Sequence, residues 1–119
     1  MAERNDSEPA VVVGKAYDFV LWLLPKAEKF PRSYRFTLGE RLVAGGIDLL
    51  LALVEASYTS DKLPAIEAGN RRVNAVRYLL RLSKDLRLLS VDAYAFASER
   101  VEEIGRMVGG WRRSLRSRA

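Results

Sequence analysis

Apolar side chains recur at alternating steps of three and four residues towards both ends of this sequence, and this spacing restricts the possible folds more than any other feature. The first series is Val13, Ala16, Val20, Leu23, Ala27 and Phe30, and the second is Tyr94, Ala97, Val101, Ile104, Val108, Trp111 and Leu115. Such spacing places apolar residues along one face of a helix, as in helical bundles. No strand-like alternation competes with it, so an all-α fold is predicted.

Capping residues and prolines divide the first half of the sequence into two predicted helices. The first covers residues 11–30 and ends at a proline, while Pro25 is expected to kink or split it. The second covers residues 37–58. Its start is marked by Thr37 and Glu40, which match the T-x-x-E capping box.

Two further helices are predicted in the second half. The third follows Ser60 or Asp61 as the N-cap and reaches about Leu89, and the fourth follows Ser90. Short connections between long helices favour antiparallel neighbours, so residues 11–119 are expected to form one up-down-up-down four-helix bundle. Residues 1–10 are polar and acidic and are expected to be a flexible tail.

The composition argues against catalysis. The 119 residues include no cysteine and no histidine, so there is no thiolate or imidazole to act as a nucleophile, general base or metal ligand. No glycine-rich phosphate loop is present. We therefore expect no enzyme activity, cofactor, metal or small-molecule substrate. The alternative is an enzyme built around Asp48, the one acid in an apolar stretch, although an arginine partner on a neighbouring helix is the simpler explanation for this residue.

No targeting segment is expected. The polar residues 1–10 do not resemble a secretion signal, and the longest apolar stretch, residues 42–54, is too short to cross a bilayer. A cytoplasmic protein without membrane contact is therefore expected.

The second predicted helix is apolar around most of its circumference. A helix of this kind needs cover on more than one side, and in a small domain a second copy of the chain can supply it. The alternative is that this helix is simply the most central one. Gly45 and Gly46 in its middle suggest close approach of another backbone. The expected oligomer interface consists of Leu42, Val43, Ile47, Leu50 and Val54.

Basic residues form the most distinctive surface pattern. The net charge is +5, and the 20 basic residues comprise 15 arginines and 5 lysines; arginine binds phosphates and carboxylates in a bidentate manner. One stripe of the third helix contains no acid, and we expect it to bind a partner together with flanking arginines and a cluster near the end of the chain. The predicted binding residues are Asn70, Arg71, Arg72, Asn74, Arg77, Arg81, Lys84, Arg87, Arg112, Arg113 and Arg116.

Charge alone does not identify the partner of this surface. Nucleic-acid backbone and an acidic protein both suit it, and no zinc finger, recognition helix or ribonucleoprotein motif is present. The less specific explanations are a solvated face with salt bridges between successive turns, and cations that complement a helix dipole.

Three blocks of sequence carry a family resemblance. The segment 26–41, KAEKFPRSYRFTLGER, is followed by RYLLRL with KDL between residues 77 and 86, and then by IGRMVGGW at residues 104–111. In this order the blocks resemble the accessory variability determinant (Avd) proteins of diversity-generating retroelements. A sister group, the bundle proteins encoded in intervening sequences of ribosomal RNA genes, shares the Phe-Pro junction in the first block.

The resemblance implies more than the residues alone. Avd proteins are non-enzymatic, form a pentameric barrel of four-helix protomers, and bind the reverse transcriptase and nucleic acid of their element during mutagenic retrohoming. The implied partners are thus further copies of this chain, a reverse transcriptase, and template RNA or DNA. The second hypothesis is a stand-alone nucleic-acid-binding bundle like that of the intervening-sequence group.

Overall fold

The computed structural model describes residues 8–118, and this part of the chain is entirely helical apart from short connections. Its elements in chain order are α1 (Glu8–Glu28), the single turn α2 (Arg32–Tyr34), a π-helical turn (Arg35–Gly39), α3 (Glu40–Tyr58), α4 (Lys62–Asp85) and α5 (Val91–Ser117). The four long helices α1, α3, α4 and α5 correspond to the four predicted helices.

These four helices form an antiparallel bundle. Helix α3 packs between α1 and α4, α4 packs against α5, and α5 closes the bundle against α1. Along the α4–α5 contact, Glu67 pairs with Arg112 and Arg77 pairs with Glu102, so residue numbers rise on one helix as they fall on the other. The predicted up-down-up-down bundle is confirmed for a single protomer.

The core contains most of the residues that the three-four spacing selects, whereas Val13, Tyr94 and Leu115 are half-buried and pack against it. Its largest fully buried side chains are Phe19, Phe30, Leu23, Leu42, Leu49, Leu53, Ile66, Leu80, Ile104, Val12, Val73 and Val76. The double glycine of α3 lies against this core. A Cβ on Gly46 would lie 2.9 Å from Leu23 of α1, and one on Gly45 would lie 3.2 Å from Val76 of α4. Close packing does occur at these two glycines, but the prediction that another backbone makes it is wrong, because the nearest atoms belong to side chains.

The predicted capping box at Thr37 is wrong. The chain is already helical after Pro31, and Thr37 lies inside the π-helical turn, where its hydroxyl donates to the carbonyl of Tyr34 at 3.3 Å. Gly39 precedes α3 and makes no side-chain cap, while the N–H of Glu40 donates to the carbonyl of Thr37. Preceding helical turns therefore supply acceptors that a capping side chain would otherwise provide.

Helix boundaries differ from the predictions at two further places. Helix α1 begins at Glu8, so the last three residues of the predicted tail are helical, whereas residues 1–7 lie outside the described part. It also continues through Pro25, so the helix is not split there. Helix α4 ends at Asp85, four residues before the predicted end at Leu89.

The early end of α4 is a left-handed cap. Arg87 has a φ of 63°, its N–H donates to the carbonyl of Lys84, and the N–H of Leu88 donates to that of Ser83. These two bonds define a Schellman motif, which usually places glycine at the left-handed position. Ser90 then caps α5 as predicted, because its hydroxyl oxygen accepts from the N–H of Ala93 at 3.0 Å.

Candidate nucleic-acid interface

The predicted basic stripe of α4 faces α5. Because residues three and four apart share one side of a helix, Asn74, Arg77, Arg81 and Lys84 lie along this edge. The C-terminal half of α5 brings Arg112 and Arg116 to the other end of the same edge, where they meet Glu67 of α4. We call this combined surface, from Lys84 to Arg116, the α4–α5 face.

Arg77 is bound to one carboxylate and one side-chain amide of its own protomer. Its Nε donates to Glu102 Oε2 at 2.8 Å, its Nη2 donates to Glu102 Oε1 at 3.2 Å, and its Nη1 donates to Asn74 Oδ1 at 2.6 Å. The expectation that this stripe lacks acidic partners is therefore wrong for Arg77. The partner is on α5, 25 residues along the chain, and inspection of the third helix alone does not reveal it.

A second set of ion pairs joins the other end of α4 to α5. Arg112 Nε donates to Glu67 Oε1 at 2.7 Å, and Arg116 Nη2 donates to Glu67 Oε2 at 2.9 Å. The hydrogen bond from Arg112 is the main reason that the pKa of Glu67 lies below its ordinary value; partial burial opposes this effect and Arg116 adds to it. Two of the predicted binding arginines therefore share one carboxylate.

The remaining basic residues of α4 are held more loosely. The nearest carboxylate to Arg81 and Lys84 is that of Asp85, at 3.9 Å from Arg81 Nε and 3.5 Å from Lys84 Nζ. Arg72 points to the opposite side of α4, where its Nη2 lies 3.8 Å from Asp48 of α3. Arg72 therefore does not belong to the α4–α5 face.

Several exposed arginines have no carboxylate within 4 Å among residues 8–118. Three of them belong to the predicted set: Arg71, Arg87 and Arg113. Arg106 is a further one on α5 that the sequence analysis omitted, although its seven-residue separation from Arg113 places both on one face of the helix. Asn70, in contrast, is half-buried. The arginines that have no carboxylate partner are thus not those of the predicted stripe on α4.

A polar cleft separates α4 from α5 next to Arg77. Its volume is about 210 Å³, and its lining includes Tyr78, Arg81, Tyr94 and Ser98. Tyr78 is 67% exposed. Lys84 Nζ lies 4.9 Å from the centre of the Tyr94 ring. Tyr94 belongs to the apolar series of the fourth predicted helix, and no binding role was predicted for either tyrosine.

A separate apolar groove of about 530 Å³ lies between α1 and α3. That second groove is lined mainly by Leu24, Phe36, Val43, Ala44 and Ile47, and we call it the α1–α3 groove.

The α1–α3 groove contains part of the predicted oligomer interface. Val43 and Ile47 line it and are half-buried, and Leu50 and Val54 are half-buried further along α3. Leu42, in contrast, is completely buried in the core of its own protomer, so the structure removes it from the predicted interface. Helix α3 packs against both α1 and α4. The alternative explanation, a central position within its own bundle, therefore accounts for part of its apolar surface.

Asp48 has the environment of a surface ion pair. Its side chain is about half exposed and lies beside Arg72 of α4. An arginine on a neighbouring helix was the simpler of the two explanations for this acid within an apolar stretch. Within residues 8–118, no group of three or more acidic side chains is arranged to hold a metal ion. In the same range, no helix has both the length and the hydropathy needed to span a membrane.

Comparison with solved structures shows the fold. A crystal structure from Bacteroides thetaiotaomicron, described as a protein with unknown function from the S23 ribosomal protein family, superposes with a TM-score of 0.83 at 14% sequence identity. The match covers 90% of this chain and 99% of that one. At this identity the likeness concerns the fold alone.

Comparison with sequences shows the family. No curated protein matches the chain. The family model described as bAvd-like matches residues 10–115, a range that covers nearly all of the four long helices and the α4–α5 face from Lys84 to Arg112. The resemblance found in the three sequence blocks is confirmed, and the chain belongs to the bAvd-like family.

Proposed function

We propose that this chain is a non-enzymatic accessory subunit of a diversity-generating retroelement. In this role it binds the reverse transcriptase of the element and its template RNA or DNA, and so supports mutagenic retrohoming in the cytoplasm without a cofactor or small-molecule substrate. The observation that carries the proposal is the α4–α5 face, a basic surface on a chain of the bAvd-like family.

The charge distribution favours a polyanionic partner for this face. Arg71, Arg81, Arg106 and Arg113 are exposed on α4 and α5, and Arg81 has only a distant ion pair, at 3.9 Å. Guanidinium groups that are not already neutralised interact most strongly with phosphate. Sequence-independent binding of the phosphate backbone is therefore the expected mode.

We further propose that the subunit acts as a homo-oligomer, a pentamer by the family resemblance, with the α1–α3 groove at the subunit contact. The groove is apolar, and Phe36 at its side is 58% exposed. Leu24 on α1 is also exposed. Covering these side chains with another copy removes apolar surface from water.

Charge reversal tests the binding role. Arg81→Glu combined with Arg113→Glu should abolish co-purification with the reverse transcriptase or salt-sensitive binding of template RNA, while light scattering shows an unchanged oligomer. Arg32→Glu, in the α2 turn and therefore on neither α4 nor α5, is the control and should retain both activities. Unchanged binding by the double variant would contradict the proposal, and RNA binding without any polymerase partner would indicate the stand-alone bundle.

A separate experiment tests assembly. Phe36→Glu places a carboxylate in the α1–α3 groove at an exposed position, so the protomer should stay folded while its light-scattering mass falls to that of a monomer. Tyr17→Glu, at a similarly exposed site on α1, serves as the control. A monomeric wild-type protein, or an oligomer that is unaffected by Phe36→Glu, would refute this contact.

A further inference from the structure

The cleft beside Arg77 combines an aromatic ring with a cationic group. Tyr78 and Arg81 lie three residues apart on α4 and both line the cleft, and Tyr94 lies across it on α5. The side chain of Arg81 is 66% exposed. An exposed ring and an exposed guanidinium therefore border the same small cavity.

The two tyrosines differ in how they are held. The Tyr94 ring is half-buried and covered by the ammonium group of Lys84. Tyr78 makes no ring–ring or cation–ring contact with residues 8–118. The core side chain in this turn of α4 is Leu80, whereas Tyr78 is exposed. One face of the Tyr78 ring is thus available to a ligand, and the fold does not need the ring for packing.

This pairing matches the chemistry of single-stranded nucleic acid. An unstacked base has two open faces that stack on an aromatic side chain, and its phosphate pairs with a nearby arginine. In a duplex the base faces are already stacked on one another, so only the backbone charge is available. A surface for duplex alone would need the arginines but not an exposed tyrosine.

We propose that Tyr78 and Arg81 form a binding site for an unpaired nucleotide of single-stranded RNA or DNA. The base stacks on Tyr78 and the adjoining phosphate pairs with Arg81, while Lys84 and Tyr94 form the opposite wall. This inference rests on the proposed nucleic-acid role and narrows its ligand to the single-stranded form.

Fluorescence anisotropy with labelled oligonucleotides of about 12 nucleotides tests the site. Tyr78→Ala should weaken binding of single-stranded RNA or single-stranded DNA by about 5- to 150-fold, the range for loss of one stacked base, and should change duplex binding by less than about twofold. Tyr78→Phe should bind like the wild type because the ring is kept. Tyr58→Ala removes another exposed tyrosine, at the end of α3, and should have no effect.

The outcomes separate this inference from the proposed function. If the wild type binds neither single strands nor duplex, the nucleic-acid role fails and the site fails with it. If the wild type binds but Tyr78→Ala binds equally well, the site alone is overturned. Binding of a poly-glutamate peptide that depends on Tyr78 and excludes RNA would also overturn it, by assigning the cleft to an acidic protein. Comparing the affinities for single-stranded RNA and single-stranded DNA shows which nucleic acid the site prefers.

Discussion

Arg77 of α4 lies directly against Gly105 of α5 and forms an ion pair with Glu102, one turn earlier on α5. A Cβ at residue 105 would lie 2.7 Å from Arg77 Nη2 and 3.2 Å from Val73 Cγ1. The guanidinium therefore occupies the space that a side chain at residue 105 would take. The bidentate pair with Glu102 depends on that glycine.

Gly105→Ala should displace Arg77 from Glu102. Alanine raises helix propensity by about 1 kcal/mol, but the lost surface pair costs about 0–1 kcal/mol and Val73 Cγ1, at 3.2 Å, must also shift, so the free energy of unfolding should rise by less than at an uncrowded glycine. Gly14→Ala is the matched control, because no atom lies within 4 Å of a Cβ there, and it should stabilise α1 by about 0.5–1 kcal/mol. Urea denaturation measures both, and equal stabilisation by the two variants would argue against the contact.

Glu102→Gln should raise the affinity for nucleic acid. The change removes the carboxylate that neutralises Arg77, so this guanidinium becomes available to phosphate, and the lost surface pair costs about 0–1 kcal/mol of stability. Anisotropy with single-stranded RNA provides the measurement. Glu99→Gln, whose pairing with Arg100 is within α5, is the control, and a gain of the same size in both variants would show only a general charge effect.

Glu67 should make folding stability depend on acid pH. Its folded-state pKa lies below the ordinary value, so its contribution is fully present above the unfolded-state pKa and is lost as the pH falls through the folded-state pKa. The stability difference between the wild type and Glu67→Gln should therefore be constant near neutral pH and shrink in acid. Denaturant midpoints across the acid range test this, with Glu55→Gln as an exposed control, and a difference independent of pH would contradict it.

Arg87→Gly should stabilise the protein. Arginine at a φ of 63° is in the left-handed region, which costs a residue with a Cβ about 1 kcal/mol relative to glycine. Arg87→Ala keeps the Cβ and removes the same charge, so it separates backbone strain from electrostatics and should show no comparable gain. Thermal unfolding of the two variants decides between them.

The residues that carry helical spacing were predictable, and their partners across the bundle were not. Val101, Ile104 and Trp111 lie in the core as the three-four pattern predicts, because one helix face is enough to define it. Arg77 was expected to lack an acid because only its own helix was considered. Its pair with Glu102 requires the register of two helices, which neither sequence segment contains by itself.

A local sequence pattern also gave a wrong prediction where the neighbouring structure already satisfies the same hydrogen bonds. The T-x-x-E pattern at Thr37 matches a capping box, but a helical turn precedes it and satisfies the backbone groups. Ser90 succeeded as a cap because the chain before it leaves α4 through a left-handed turn and starts α5 afresh. Leu42 was expected at the oligomer contact because an apolar stripe does not distinguish its own core from that of another copy.

The shared carboxylate of Glu67 has a consequence for counterions. Arginines that bind phosphate release condensed cations from the nucleic acid, and the number released sets how steeply the logarithm of the affinity falls with the logarithm of the salt concentration. Arg112 and Arg116 must leave Glu67 before they take part. The slope for this protein should therefore report fewer ionic contacts than its fifteen arginines suggest.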